Sequence, residues 1–411
     1  IAMELDALEH GLADASPSGP LVFNPNGHAF RGVIQTSDGG WQAVSAPALA
    51  TASLADAVCE LAETDAVEGD QTRLENRLVR YEFDDRGRLV SAFDKESARE
   101  MLCADAPGNR LTLYEDTLAD AWDNDAHFRD RPVGDARLIE RRVSCEDWLC
   151  REIEQVFEVG ASRIRQTVRL RALSRRLDFA TVVDWRDRRR QLRVAFPVDL
   201  RAREATTEIQ FGLQKWSLGE NSTWDRGQTD VPAHRFADIS EPDCGVALLN
   251  DCKYGVNVKD RTLDLNLLRA SVHPDPHADE GEHTFTYSLL PHRNRLEDSD
   301  VFREAAELNR PTRVANFATV ELPFAFESES VILESVKRAE DADALVLRCY
   351  EPRGARGTAT LTPEPADCDV HEATLLEEPT QALPREDGQV HVQFRPFEIK
   401  TLLLLTKGTD D

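Results

Sequence analysis

Between Leu78 and Leu213 apolar residues alternate with charged ones in segment after segment: LVRYEF, RLTLYED, RLIERRVSCEDWLCREIEQVFEV, SRIRQTVRLRA, RLDFATVVDW, QLRVAFPVDL and TEIQFGL. A period of two places one face of each segment on a core and leaves the other, charged, in water, which is the pattern of antiparallel strands. No helical stretch interrupts the run, so the strands have only one another to pack against and must close a large β-sandwich. Turn chemistry agrees. Asp84-Asp85-Arg86-Gly87, between LVRYEF and RLVSAF, supplies residues that tolerate the positive φ a tight hairpin connection requires.

At 411 residues the chain exceeds what one core usually serves, and the pattern divides it. Ile1, Leu5, Leu8 and Leu12 share one helical face, so 1–16 reads as the end of a helical domain. Residues 17–70 follow as a small β-domain: LVFNPNGHAFRGVIQT gives two short strands about an Asn-rich turn, and 44–70 carries little signal. The large sandwich takes 71–300. VFREAAELNRP, from Val301 to Pro311, is the one later helical segment, and it opens a C-terminal β-sandwich over 301–411.

The net charge is -26, and the cations are lopsided, with 7 lysines against 42 arginines. Acid enrichment with few lysines predicts a protein soluble in concentrated salt, as in a halophilic prokaryote. The same surface excludes nucleic acid and anionic membranes, which demand clustered basic residues. Eight scattered cysteines without a CxxC pair fit reduced thiols in a cytoplasm. No run approaches the roughly 18 apolar residues of a membrane span. The start, IAMELDALEHGL, is neither a signal peptide nor an initiator context, and the expectation is a piece of a longer protein.

Several ordered blocks carry a family resemblance. They are LENRLVRYEFDDRGRLVSAFDKESARE, NRLTLYEDTLADAWD, TVVDW, NSTWDRGQTDVPAHRFADIS, GVALLNDCKYG, LLRASVHPDPHADEGEHTFTYSLLPH, and VKRAEDADALVLRCYEPRG with RPFEIKT. In this order they resemble the C-terminal β-domains of the family 38 α-mannosidases of the cytosolic and vacuolar type. The resemblance implies a mainly β fold, a galactose-mutarotase-like supersandwich with smaller flanking β-domains and a short N-terminal helix. It also implies a zinc-dependent retaining α-mannosidase whose nucleophile and zinc ligands precede Ile1, because nothing in these residues resembles the catalytic domain. The expected partners are therefore that domain and a mannoside. This chain alone is expected to bind no cofactor, to hold no catalytic residue and to be inactive. Homo-oligomerisation is compatible with such β-domains, and no residue pattern specifies a symmetry.

Within the blocks, Asp120, Trp122 and Asp123 match an Asp-Ala-Trp-Asp version in the family. An indole beside carboxylates suits a sugar, since the aromatic face covers pyranose C–H groups while carboxylates accept hydroxyl protons. The competing reading is a loop anchored by its Trp. Asn250, Asp251 and Tyr254 follow the apolar run VALL at a strand end, where loops commonly carry function; the alternative is a well-satisfied hairpin. By resemblance Arg269, ending LLR, stands where related mannosidases use an arginine near the sugar. The loop holding His273 and His277, with His283 and His292 following, superficially resembles a zinc cluster. Two prolines stiffen it, the family's version is not a metal site, and backbone hydrogen bonding is the expected role. His234 and Trp224 read as docking or structural residues. Two other readings compete: a free-standing carbohydrate-binding or scaffolding module, and a glycosidase of different specificity on a similar scaffold.

Overall fold

The structure, a computed structural model, describes residues 19–118, 120–123, 127–315, 322–364 and 368–405. The helix expected over 1–16 lies outside them. The fold is mainly β, as the alternation demands. Its centre is a nine-stranded antiparallel sheet in the order Arg137–Asp147, Cys150–Val159, Ser162–Arg171, Leu177–Trp185, Gly281–Arg293, Cys244–Asn250, Phe236–Ser240, Glu204–Ile209 and Gly212–Ser217. A six-stranded sheet faces it, ordered Pro132–Asp135, Arg110–Glu115, Arg190–Pro197, Thr262–Arg269, Gly255–Asn257 and Val231–Pro232. One core joins the two sheets and also takes in Leu74, Val79, Tyr81 and Leu89 from a third, five-stranded sheet over 68–100. Leu177, Phe179 and Val183 point inward from one strand, and Leu192, Val194 and Phe196 from another. Phe179 stacks on Tyr287 at 5.1 Å between ring centroids and lies 5.7 Å from Phe196.

The core is not wholly apolar. Tyr287 donates to Asn109 Oδ1 (2.7 Å), Asn109 donates to Gln166 Oε1 (2.8 Å), and Gln166 Nε2 donates back to the Tyr287 hydroxyl (2.8 Å) and to Thr181 Oγ1 (3.1 Å). A closed ring of this kind satisfies each member, so burying it is tolerable and fixes the sheets against one another.

Val301–Asn309 is helical, as its sequence predicts. It buries Val301, Phe302 and Ala305 against Phe236, Ala247, Leu249 and Leu290 on the outer face of the nine-stranded sheet. The chain then returns to the start of the molecule: Arg313–Ala315 pairs antiparallel with Leu21–Asn24. The closing sandwich sets a three-stranded sheet, Phe324–Glu327, Gly357–Pro363 and Val390–Phe394, against a five-stranded one over 332–405, with Leu347, Leu361, Val392 and Leu402 between them. Among the described residues no helix is long and apolar enough to cross a membrane, and no disulfide joins the cysteines.

The helix is tied to the large sheet by charge as well as by packing. Arg176 donates to Asp178 (2.7 Å), to the Glu304 carbonyl (3.0 Å) and to Glu304 Oε2 (2.9 Å), while His28 Nε2 meets Glu307 Oε1 at 3.2 Å. Burial raises the Glu304 carboxyl to about 7; Arg176 opposes the rise and Glu307 adds to it. The fold therefore holds this proton more tightly than the unfolded chain does. Its stabilising contribution is whole below the ordinary value of 4.5 and is lost as pH climbs through about 7. Glu304→Gln keeps an acceptor for Arg176, so we expect it to flatten the decline of the urea midpoint across that window. A slope equal to that of the wild type excludes the assignment.

Candidate functional site

Three loops meet at one end of the six-stranded sheet, and the sequence singled out residues on two of them. The first leaves Arg110–Glu115, the second enters Arg190–Pro197, and the third follows Thr262–Arg269. Backbone bonds lace them together: Asp116 N–H to the Arg189 carbonyl (3.0 Å), Arg189 N–H to that of Ala270 (2.8 Å), and Ala121 N–H to that of His273 (3.0 Å).

Arg269, the last residue of its strand, lies on the face of Asp116 because that strand is irregular. Leu192 pairs with Leu268 but Arg193 pairs with Asn266, so Leu267 is an extra residue that shifts the alternation. Asn266 and Arg269 consequently share the outer face with Arg193 and Gln191, although they stand three positions apart. The Arg269 guanidinium forks onto Asp116, Nε to Oδ2 at 2.9 Å and Nη2 to Oδ1 at 3.4 Å, and the Asp116 side chain is fully buried. A paired carboxylate beneath it fixes the direction of the fork.

Asp120 sits above this pair. Its Oδ1 accepts the N–H groups of Asp123 and Trp122, both at 3.0 Å, and these bonds hold its carboxyl below the ordinary value, with smaller help from the charges of Arg269 and His273. The turn so formed projects Trp122, which is 71% exposed and whose ring lies 5.5 Å from that of His273. Asp120, Trp122, Asp123 and Arg269 thus come together with Asp116, buried and 153 positions before Arg269, which the motifs had not marked as a side chain of interest.

Asn250 and Asp251 behave otherwise. Asn250 is 1% exposed; its Oδ1 accepts the Lys253 N–H (2.9 Å) and its carbonyl accepts Asn309 Nδ2 (3.0 Å). Asp251 Oδ2 accepts the Thr286 N–H at 2.8 Å, and burial pushes its carboxyl up. Both side chains build the turn. That turn presents Tyr254, 53% exposed, with its ring 5.4 Å from that of His234. Tyr254 directly precedes Gly255–Asn257, which pairs with the Arg269 strand through Val256 and Leu265. Trp224 is exposed on the short helix Thr223–Gly227, closed by a capping box between Ser222 and Asp225.

Between these positions the outer face of the sheet carries a charge cluster that the motifs did not reveal. Arg193, 1% exposed, donates from Nε to Asp264 Oδ1 (2.9 Å) and from Nη1 and Nη2 to Asp230 (2.9 and 2.8 Å), with its guanidinium carbon 4.3 Å above the Phe128 ring. Burial opposes its charge, and the two carboxylates outweigh burial. Alternation alone places Arg193 on this face, between Leu192 and Val194, but nothing local marks its partners.

Two side chains of the histidine loop bond within it. His277 Nδ1 meets Glu280 at 2.9 Å and His283 Nε2 meets the Asp279 carbonyl at 2.8 Å. Among the described residues one set of metal-ligand types converges, Glu241, Asp243 and Cys244. Arg99 already occupies it, 2.6 Å from Glu241 Oε2 and 3.1 Å from Cys244 Sγ, and burial raises the Cys244 thiol. A guanidinium at the centre and a protonated thiol do not suit a zinc ion, which binds thiolate and imidazole.

Comparison with known proteins places the chain. The model of the "Glycosyl hydrolases family 38 C-terminal domain" matches residues 74–277, and that of the "Glycosyl hydrolases family 38 C-terminal beta sandwich domain" matches 330–402. Human alpha-mannosidase 2C1 is 37% identical over 353 residues, covering 81% of this chain and 33% of that protein. Alpha-mannosidase G of Dictyostelium discoideum is 33% identical over 378 residues, covering 85% and 34%. The fold matches the crystal structure of an alpha-mannosidase from Enterococcus faecalis V583 with a TM-score of 0.70 at 16% identity, covering 98% of this chain and 52% of that one. The chain spans about a third of the length of these two sequence relatives. It belongs to glycosyl hydrolase family 38, of which it comprises the C-terminal domains.

Proposed function

We propose that this chain is the bracing and cleft-completing part of a zinc-dependent retaining α-mannosidase. The observation that carries the reading is the convergence of Arg269, Asp116, Asp120 and the exposed Trp122 at one end of the sandwich. Retaining glycosidases use two carboxyl groups roughly 5–5.5 Å apart, one as nucleophile and one as acid/base. In our reading both, with the zinc ion, belong to the catalytic domain, and the donor set around Arg99 is no substitute for them. This chain's contribution is binding and orientation. Trp122 offers an apolar face to a pyranose ring, Asp120 and Asp123 accept hydroxyl protons, and Arg269, directed by Asp116, donates to a sugar oxygen or to a reactive carboxylate. Asn250 and Asp251 act indirectly by holding the turn that presents Tyr254.

The test compares two polypeptides on an aryl α-mannoside: this chain alone, and a longer protein in which it follows its catalytic domain. Turnover is expected from the second only; robust turnover by the chain alone overturns the proposal. The exposure of Trp122 also favours a second reading, a module that binds carbohydrate unaided. Calorimetry of the isolated chain with manno-oligosaccharides separates the two, because a cleft-completing surface gives no saturable heat without its partner.

A further inference from the structure

A concave site lies away from the Trp122 end, between the Val301–Asn309 helix, the segment 328–333 and the turn at Pro352 and Arg353. It encloses about 300 Å³, the lower end of what a small ligand needs. Phe302, Ala306, Val331 and Leu333 supply apolar lining, and four guanidinium groups line it as well, those of Arg235, Arg303, Arg310 and Arg353. In a protein of net charge -26 that concentration calls for a reason.

Partners account for some of these cations. Arg235 is held by Glu208, with Nε 2.8 Å from Oε2, and Arg303 by Asp300 at 2.8 Å. Arg310 donates to the Glu334 carbonyl (3.1 Å) and stands 3.9 Å from its carboxylate, which also faces Arg235 at 3.8 Å. Arg353 has no carboxylate within ion-pair distance among the described residues. Its guanidinium carbon lies 5.8 Å from the centre of the Phe302 ring, and its Nε is buried with no hydrogen-bond partner. Glu329, the acid of the lining with no cation at ion-pair distance among the described residues, is exposed. A buried N–H without an acceptor is costly, and an oxyanion would satisfy it.

We propose that this cleft binds a small organic oxyanion, a phosphate monoester or carboxylate on an apolar body, with Arg353 and Arg310 on the anion and Phe302 and Val331 against the body. Planar guanidinium groups match such oxyanions in a paired geometry that lysine does not reproduce. The inference is independent of the mannoside reading, because none of its residues belongs to the Arg269 end.

Titration calorimetry with phenyl phosphate tests it, with phenol as the neutral control. Saturable binding of phenyl phosphate and none of phenol are expected. Arg353→Gln is expected to weaken binding about tenfold, about 1.4 kcal/mol, and Arg353→Lys to restore only part of it. Because Arg353 is partly exposed, both variants should melt with the wild type, which a thermal scan verifies. No saturable heat from the wild type, or equal affinity in Arg353→Gln, overturns the proposal.

Discussion

Arg193→Met is expected to destabilise the large sandwich by about 3–5 kcal/mol, read as a fall in the urea midpoint of its unfolding transition. The size follows from what stays behind. Asp264 and Asp230 have side chains only 4% and 13% exposed, and each loses its main cation at once. Arg129 is 3.4 Å from Asp264 Oδ2 and compensates weakly. Breaking one side of a buried ion pair is expensive because the surviving charge is stranded, not because the pair itself was worth that much. One further measurement separates this cause from a packing defect: adding Asp230→Asn and Asp264→Asn to Arg193→Met should recover most of the loss. A destabilisation under about 1 kcal/mol, or no recovery in the triple variant, refutes the account.

Arg269→Gln, made in a longer protein that includes the catalytic domain, is expected to lower kcat/KM on an aryl α-mannoside roughly 10- to 100-fold, the value of a charge-assisted hydrogen bond. Glutamine is preferred to alanine because it leaves the buried Asp116 a donor and so limits the damage to the fold. A rise in KM with kcat unchanged would mean that Arg269 holds the sugar equally in the ground and transition states, whereas a fall in kcat would mean that it acts on charge developing during reaction. Either result supports a place in the cleft. If Arg269 only ties two loops together, melting falls while kcat/KM per folded molecule stays constant, and the proposed role is lost.

Much of the architecture was legible because burial in a sheet writes itself into the chain with a period of two. LDFATVVDW became the inward Leu177, Phe179 and Val183 and the outward Asp178, and VFREAAELN became the helix its spacing implies. Turn chemistry was local too, so Asp84 to Gly87 was readable as a hairpin. The path after Val301 was less accessible. Nothing in Arg313–Ala315 announces that it pairs with Leu21–Asn24, nearly 300 positions earlier, since pairing of distant strands depends on where the intervening sheets leave a free edge.

The site divides along the same line. The residue types that suit a sugar, Asp120, Trp122, Asp123, Tyr254 and Arg269, were visible as chemistry at strand ends. Sequence by itself determined that this chain builds antiparallel sheets around alternating apolar positions and that its polar strand ends carry the family's motifs. Only the tertiary structure decided that Arg269 forks onto Asp116, that Arg193 is clamped by Asp230 and Asp264, that Asn250 and Asp251 hold a turn, and that the Arg353 Nε is buried without an acceptor among the described residues. Alternation records which face of a strand meets water. An ion pair or hydrogen bond depends on an approach within about 3 Å between groups far apart in the chain, and that distance exists only after the sheets have packed.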